Sequence, residues 1–562
     1  MTLPADATDT TSGAPAAPRS LRGRLGAALL VSAFTALLVL PPVGHHLIVK
    51  SDEARFALLA RDMLRRGAWF DAAVEGEQYR NKPPLFPWSI AVLSRVRGAV
   101  TEGAAQLPSA GAAVAAALST FLLGDRLFTR RAGLWAALML ATSASFFSHS
   151  QQILPDMLVV AFATTSGYAF WRAMSEPGSP LALVGFYAAL AFGVFAKGPA
   201  GLLPMLVAIT WLWAEHGVRG LRRLWSPAGI AVFVVVTLAW LGPFLAAGAQ
   251  SFGRSVLRQD WLATYVGLPL PRRLASFVVD AFVGFLPWSL LLPLAIGSAV
   301  HARRDPAVRF AALSFLVPLL LIIFSRSRLP RYLLPIYPGV ALLAAWWADA
   351  HGGARTVLGR GLGWASFVGV AAVAALIPRL STVKDAGFFL DPGLAPNTLA
   401  LLAGALLIGA LFLLGLSDGK PALLVWGGSA LMAVLLGYGV WIVNEWTDRT
   451  EDFRVVAATV RRHAPDADLR VFTQAKLLPM DFYFGRELPR ILTVDELRAY
   501  LAGTARPTVL IDAQNLKLTP RELVQDLRVL AALQIHEQSL FILGCAAPER
   551  AARSARCMST GQ

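Results

Sequence analysis

From Leu25 to Val443 the chain is a succession of apolar runs of about 17 to 25 residues, divided by short polar or basic segments. A run of that length crosses a hydrocarbon core of about 30 Å as a helix. The runs fall at 25–42, 107–124, 132–149, 154–173, 182–196, 199–214, 228–248, 276–299, 308–324, 332–349, 361–378, 398–416 and 421–443. About thirteen transmembrane helices are therefore expected. One apolar piece, 84–96, is too short to span and contains Pro87. It reads as a helix along the membrane interface, interrupted at the proline.

That reading sets the parity of everything after it. With the N-terminus inside and 45–83 as a long outer loop, the basic segments Asp125–Arg131, Glu215–Trp225 and His301–Arg309 all fall inside, as do Arg355 and Arg360. Counting 84–96 as a span turns each of them outward, against the positive-inside rule. The chosen parity also places Asp52, Glu53, Lys82, Asp156, Lys197, Arg258, Asp260, Arg326, Arg328, Arg331 and Tyr332 outside, although none of them was used to set it.

Beyond about Thr450 the pattern changes. Polar helix-like stretches (Asp452–His463, Val494–Leu501, Pro520–Leu530) alternate with short apolar strands (Leu469–Thr473, Thr508–Ile511, Leu540–Leu543). This alternation predicts a small extracytoplasmic α/β domain over 450–547, followed by a flexible tail, 548–562. At the other end, 1–24 reads as a disordered cytoplasmic tail. Arg19, Arg22 and Arg24 precede the first apolar run, but Pro41–His45 holds no small-x-small cleavage site, so an uncleaved first span is expected. The transmembrane part is thus 25–445.

Composition agrees with this class. Hydrophobic residues make up 56% of the 562 and charged residues only 15%, where soluble chains carry about 25% charged. The net charge of +16 is met by topology-setting loop arginines, or in part by basic groups that contact phosphate. No compact basic domain suggests nucleic acid. The two cysteines, Cys545 and Cys557, either form a disulfide outside the cytoplasm or stay as thiols.

The candidate chemistry is concentrated on the outer side. Ser51-Asp52-Glu53 opens an amphipathic helix that runs to Arg66 and stops at Gly67. Ser51 suits an N-cap and two acids suit the positive helix end. Neighbouring helical residues point about 100° apart, so at most one of Asp52 and Glu53 faces a site. Lys82, in Arg80-Asn81-Lys82-Pro83-Pro84, serves either as an interfacial anchor or as a point charge for phosphate. Asp156 starts a span after a short outer turn, where an unpaired acid is costly. Lys197 ends a span and either snorkels or meets an anion. Ser325–Tyr332 carries three arginines on the side that the positive-inside rule depletes, and arginine forks hold phosphate bidentately. No GxGxxG, GxxxxGK[ST] or HExxH motif is present, and Asp466-Ala467-Asp468 lies in a turn.

SDEARFALLARDML, RNKPPLFPW about 30 residues on, LPDML, FAKGP and SRSRLPRYLLPIYPG together resemble the aminoarabinose transferase and protein-mannosyltransferase group of GT-C glycosyltransferases. The likeness covers roughly 25 to 345. It implies a GT-C membrane fold that uses a polyprenyl-phosphate sugar donor on the outer face and inverts the anomeric carbon. It makes Asp52 the catalytic carboxylate and Asp156 a second essential acid. Lys82, Lys197, Arg258, Arg328 and Tyr332 would contact donor phosphate and lipid, with Glu53 and Asn81 in support. The chain departs from the group where members often carry a metal-supporting Glu, here Asn81, and at Arg258-Gln259-Asp260-Trp261. A divalent metal is therefore an open matter, as is the acceptor: glycolipid such as lipid A, cell-wall glycan or protein.

A transporter or lipid flippase is the alternative from another class. Transporters set ionisable groups at the bilayer midplane, often within internal repeats. Here the charges sit at the outer edge and no repeat is visible. The topology is tested by labelling intact cells with a membrane-impermeant thiol reagent. Single cysteines at Gln474 or Glu487 should react and one at Arg222 should not. Reversed labelling would refute the parity and the site with it.

Overall fold

The computed structural model of the chain describes residues 21–79, 81–176, 179–247, 271–325, 329–351, 395–463, 469–473, 478–504, 507–535 and 538–544, with isolated positions at 361, 364 and 368. It is mostly helical. The first helices are α1 (Leu21–Val39), α2 (Ser51–Arg66), α3 (Leu85–Arg95), α4 (Glu102–Leu127) and α5 (Arg130–Ala141), then α6 (Ala144–Ser150), α7 (Asp156–Ser175), α8 (Pro180–Lys197), α9 (Leu203–Gly220) and α10 (Pro227–Ala246). Among the described residues, eight helical stretches are long and apolar enough to cross a membrane, or nine with a bent pair. The chain is a multi-pass membrane protein.

The bundle has two chemically distinct ends. Gln151 donates to the carbonyl of Val39 at the end of α1, and Gly44 N–H donates to Gln106 near the start of α4. At the far ends of the same helices Arg24 meets Asp125 at 3.2 Å. So α1 arrives, and α4 departs, at one end, and the intervening chain does not cross. The 11-residue α3 lies within that return. Helix ends away from Gln151 are closed by ion pairs: Arg126 and Arg172 with Glu176, Arg131 with Asp349, and Arg309 with Glu215. Pairing offsets the cost of a charge at the membrane edge.

Several local expectations are corrected. Pro87 does not interrupt α3; it occupies the first turn, where the missing N–H would be unpaired in any case. Ser51 is the first helical residue, and extended Lys50 precedes it in the cap position. The run 132–149 is two helices broken at Thr142–Ser143. The run 276–299 bends by 104° between Phe277–Gly284 and Trp288–His301, with Pro287 between the pieces. Spacing alone had made each of these one rod. The Asp466–Asp468 turn, the 361–378 run as a whole and both cysteines lie outside the described residues.

Packing explains the close approach of α4 and α5. A Cβ on Gly133 would stand 2.5 Å from the backbone nitrogen of Asp125. Two glycines let the backbones touch, the usual device where helices associate in lipid. Around this contact a continuous core includes Trp135, Phe146, Phe170, Phe186, Trp288 and Tyr337.

A short hairpin, β1 (Ala73–Val74) and β2 (Glu77–Gln78), follows α2. The C-terminal residues form a four-stranded sheet from Leu469–Phe472 (β3), Thr508–Asp512 (β4), Arg528–Ile535 (β5) and Gln538–Gly544 (β6), in the order β3-β4-β6-β5. β3 and β4 are parallel; the other pairings are antiparallel. Three of the strands were expected. β5 falls where the Pro520–Leu530 helix was expected, and that helix shrinks to Arg521–Val524. The short helix Leu478–Phe484 had no signal in the sequence beyond its apolar run. It docks on α2: Arg61 donates to the carbonyls of Asp481 and Phe482, and Arg65 to that of Gly485.

Asp481 is buried at this junction. Burial pushes its carboxyl up to about 6, against the pull of Leu488 N–H and Arg490, while Glu487 adds to the rise. An acid with a raised folded pKa takes up a proton on folding. Its contribution is present below the unfolded value and lost as pH rises through about 6. Asp481→Asn should therefore gain thermal stability over the unchanged protein as pH rises from 4 to 7, on the order of 2 kcal/mol. A pH-independent difference between the two melting curves would contradict this.

Candidate active site

The first polar group to place is the acidic pair that opens α2. As helical geometry demands, the two side chains part. Glu53 is fully buried. One of its oxygens lies 3.1 Å from His46 Nε2, and the other accepts from Ile153 N–H at 3.4 Å. Asp52 stays half-exposed. Its Oδ1 accepts from Arg55 at 2.6 Å and its Oδ2 from both Nη atoms of Arg331 at 3.3 and 3.4 Å. Burial raises the Asp52 pKa, but Arg55 and Arg331 outweigh it, and the net shift is downward from the ordinary carboxylate value. Asp52 is ionised at neutral pH.

The turn ahead of Asp156 is held from several sides. Ile153 N–H goes to Glu53. Gln106 donates to Gln151 O at 2.8 Å and Ser109 to Leu154 O at 3.1 Å. Gln106, Ser109 and Gln151 are themselves buried. Each therefore needs a partner, and in finding it fixes the loop. Asp156 then begins α7, buried, paired with Lys197 at the end of α8. The Lys197 ammonium also sits 4.6 Å from the ring centre of Tyr332, a cation–π distance.

These groups surround one cavity of about 400 Å³. Lys82, Asp156, Lys197, Arg331 and Tyr332 belong to its polar lining, and Leu202, Leu203, Leu206, Leu321 and Ile322 to its apolar lining. Three cations stand against one carboxylate, so the cavity suits an anion joined to a long apolar chain. That combination fits phosphate better than a soluble anion, which would gain nothing from the leucine wall.

Of the residues singled out in the sequence, Asp156, Lys82, Lys197 and Tyr332 meet at the cavity, with Asp52 joined to it through Arg331. Glu53 is set away, between His46 and Ile153. Asn81 is exposed and does not line the cavity. Arg258 and Arg328 lie outside the described residues. Arg331 was read as one of a basic cluster with no role of its own, yet it is the residue that bridges Asp52 and the cavity. Arg55 was overlooked, although its place three residues after Asp52 is the spacing of a helical ion pair.

The metal that the sequence likeness left open finds little support in the donors. Among the described residues no three His, Cys, Asp or Glu side chains gather. The oxygens of Asp52 are taken up by two guanidinium groups, and Asp156 already holds Lys197. These residues do not fit a metal ion.

Known proteins can now be set beside this geometry. Residues 81–242 match the family model described as dolichyl-phosphate-mannose-protein mannosyltransferase. An undecaprenyl phosphate-alpha-4-amino-4-deoxy-L-arabinose arabinosyl transferase of Pseudomonas fluorescens is 30% identical over 317 residues, 55% of this chain and 57% of that one. Its counterpart in Pseudomonas paraeruginosa is 31% identical over 325 residues, 56% of this chain and 58% of that one. The matched region thus spans a little over half the length of these relatives. The crystal structure of ArnT from Cupriavidus metallidurans bound to undecaprenyl phosphate superposes with a TM-score of 0.76 at 19% identity, covering 93% of this chain and 98% of that one. This chain has that fold.

Proposed function

We propose that this chain, which has the GT-C fold of ArnT and is similar in sequence to aminoarabinose transferases and protein mannosyltransferases, is a membrane glycosyltransferase. It would move a sugar from a polyprenyl-phosphate donor to a hydroxyl on a glycolipid, cell-wall glycan or protein. The observation that carries the reading is the cavity: three cations and a set of leucines in one lining, with a half-exposed ionised carboxylate held against one of the cations. The flippase alternative lacks this support, because the charged pair that lines the cavity stands at helix ends, Asp156 at the start of α7 and Lys197 at the end of α8, and not at their middle.

In this reading the donor phosphate sits against Lys82, Lys197 and Arg331, with Arg258, Arg328 and Tyr332 completing the phosphate and lipid contacts. The polyprenyl chain follows the apolar wall between α9 and the helix Pro306–Ile323. Asp52 takes the proton of the acceptor hydroxyl. The oxygen attacks the anomeric carbon, and the bond from that carbon to the phosphate oxygen breaks. The electron pair leaves with polyprenyl phosphate, whose growing charge the cations stabilise. Attack opposite the leaving group inverts the anomeric carbon. Asp156 holds Lys197 in place and offsets part of its charge. No nucleotide site is needed. By the relatives' names, 4-amino-4-deoxy-L-arabinose on undecaprenyl phosphate is the first donor to test.

The site belongs in this reading to the extracytoplasmic face of a bacterial inner membrane, where the C-terminal domain, 450–547, covers the first loop. The basic, ion-paired end of the bundle then faces the cytoplasm, as the positive-inside rule requires.

Transfer rate and donor affinity in purified, lipid-reconstituted protein test the assignment. Asp52→Asn should lower transfer by roughly 10²-fold or more, the scale of general base catalysis, and leave a donor site that still binds. Near-normal transfer by Asp52→Asn, with loss in Asp156→Asn, would move the base to Asp156. Lys82→Ala and Arg328→Ala should each weaken donor use strongly with normal expression and insertion. Arg328→Lys should recover only part of it, since the fork is lost. Normal turnover of donor by the neutral variants would make the basic cluster structural only.

A further inference from the structure

A general base needs a free lone pair pointing at its proton. In this structure Asp52 has each carboxylate oxygen engaged by a guanidinium. The two engagements differ. Arg55 comes from the same helix, at i+3, and its 2.6 Å bond to Oδ1 is short and local. Arg331 comes from a separate element, the 3-10 segment Pro330–Ile336. Its Nη atoms stand 3.3 and 3.4 Å from Oδ2, longer than the roughly 2.7–2.9 Å of a strong charge-assisted bond. Arg55 therefore holds Asp52 in place, while Arg331 merely covers its second oxygen.

Arg331 also lines the cavity with Lys82 and Lys197. Its planar fork matches phosphate oxygens better than it matches a single carboxylate oxygen at 3.3 Å. A phosphate that enters the cavity and Asp52 thus compete for one guanidinium. We propose that Arg331 exchanges Asp52 for the donor phosphate, so that Oδ2 becomes free to act as base only when donor is bound. This rests on the reading of the cavity as a lipid-phosphate site. It adds a donor-binding residue and an order of events: donor first, acceptor activation second.

Among the described residues Arg55 and Arg331 supply the charges nearest Asp52, while Lys82, Lys197 and Asp156 line the cavity that Arg331 also lines. Of these, Lys197 is held by Asp156, and the Arg331 contact to Asp52 is a long one at 3.3 and 3.4 Å, so it is released at little cost.

The test is a double-mutant cycle read as binding of undecaprenyl phosphate to the full-length protein in lipid nanodiscs. Arg331→Gln should weaken binding by ~10-fold or more, as loss of a charged fork does. Asp52→Asn should tighten it by ~3- to 10-fold, since the phosphate no longer competes for Arg331. In the Arg331→Gln background Asp52→Asn should change nothing. Equal tightening in both backgrounds would mean that Asp52 only repels phosphate through space, and no tightening in the unchanged background would mean that there is no competition. Either result overturns the exchange. If Arg331→Gln does not fold, Arg331→Lys takes its place in the cycle, where a smaller Asp52→Asn tightening than in the unchanged background supports the exchange and an equal one overturns it. A parent protein that does not bind undecaprenyl phosphate at all would overturn the donor reading itself.

Discussion

The candidate site depends on one buried carboxyl group that does not line the cavity. Glu53 is fully buried, and such a group is tolerated only when its oxygens are satisfied. His46 and the N–H of Ile153 satisfy them. Because His46 precedes α2 and Ile153 precedes α7, this small bracket fixes where Asp52 stands relative to Asp156. Gln106, Ser109 and Gln151 continue it across α4. Acid and cations then meet at a spacing that no single element sets.

The C-terminal domain acts on the same helix from the other side. Arg61 and Arg65 reach its backbone carbonyls, and Tyr483 Oη accepts from Ile48 N–H, just before α2. Arg490 joins Asp481 to Glu75 in the β1–β2 hairpin (Ala73–Val74 and Glu77–Gln78). The segment that carries Asp52 is thus clamped at both flanks. A loop so held keeps its carboxylate pre-positioned, which is how a site avoids reorganisation during reaction.

The bundle contributes a division of labour. At one end acids are paired with arginines, such as Asp349 with Arg131 and Glu215 with Arg309. The other end keeps an excess of cations around a cavity. Under the proposed function, a lipid-linked anion would find apolar and cationic walls in the same cavity, and the reacting bond would fall between the phosphate and the half-exposed acid.

Much of this was written in the linear pattern. Run length determined the membrane class, because a helix must match the hydrocarbon thickness, and loop charge supplied the expectation that 84–96 does not cross. Asp52, Lys82, Asp156 and Lys197 stood out because charge at a membrane edge needs a reason. What the pattern did not contain was pairing between distant segments. Nothing in the chain says that Arg331 reaches Asp52, that Ile153 feeds Glu53, or that the run 276–299 bends by 104°. Those contacts join residues 100 to 279 positions apart. Periodicity reports only which face of an element is apolar. Which charge meets which is decided when the helices pack, because only then does burial force each polar group to find a partner.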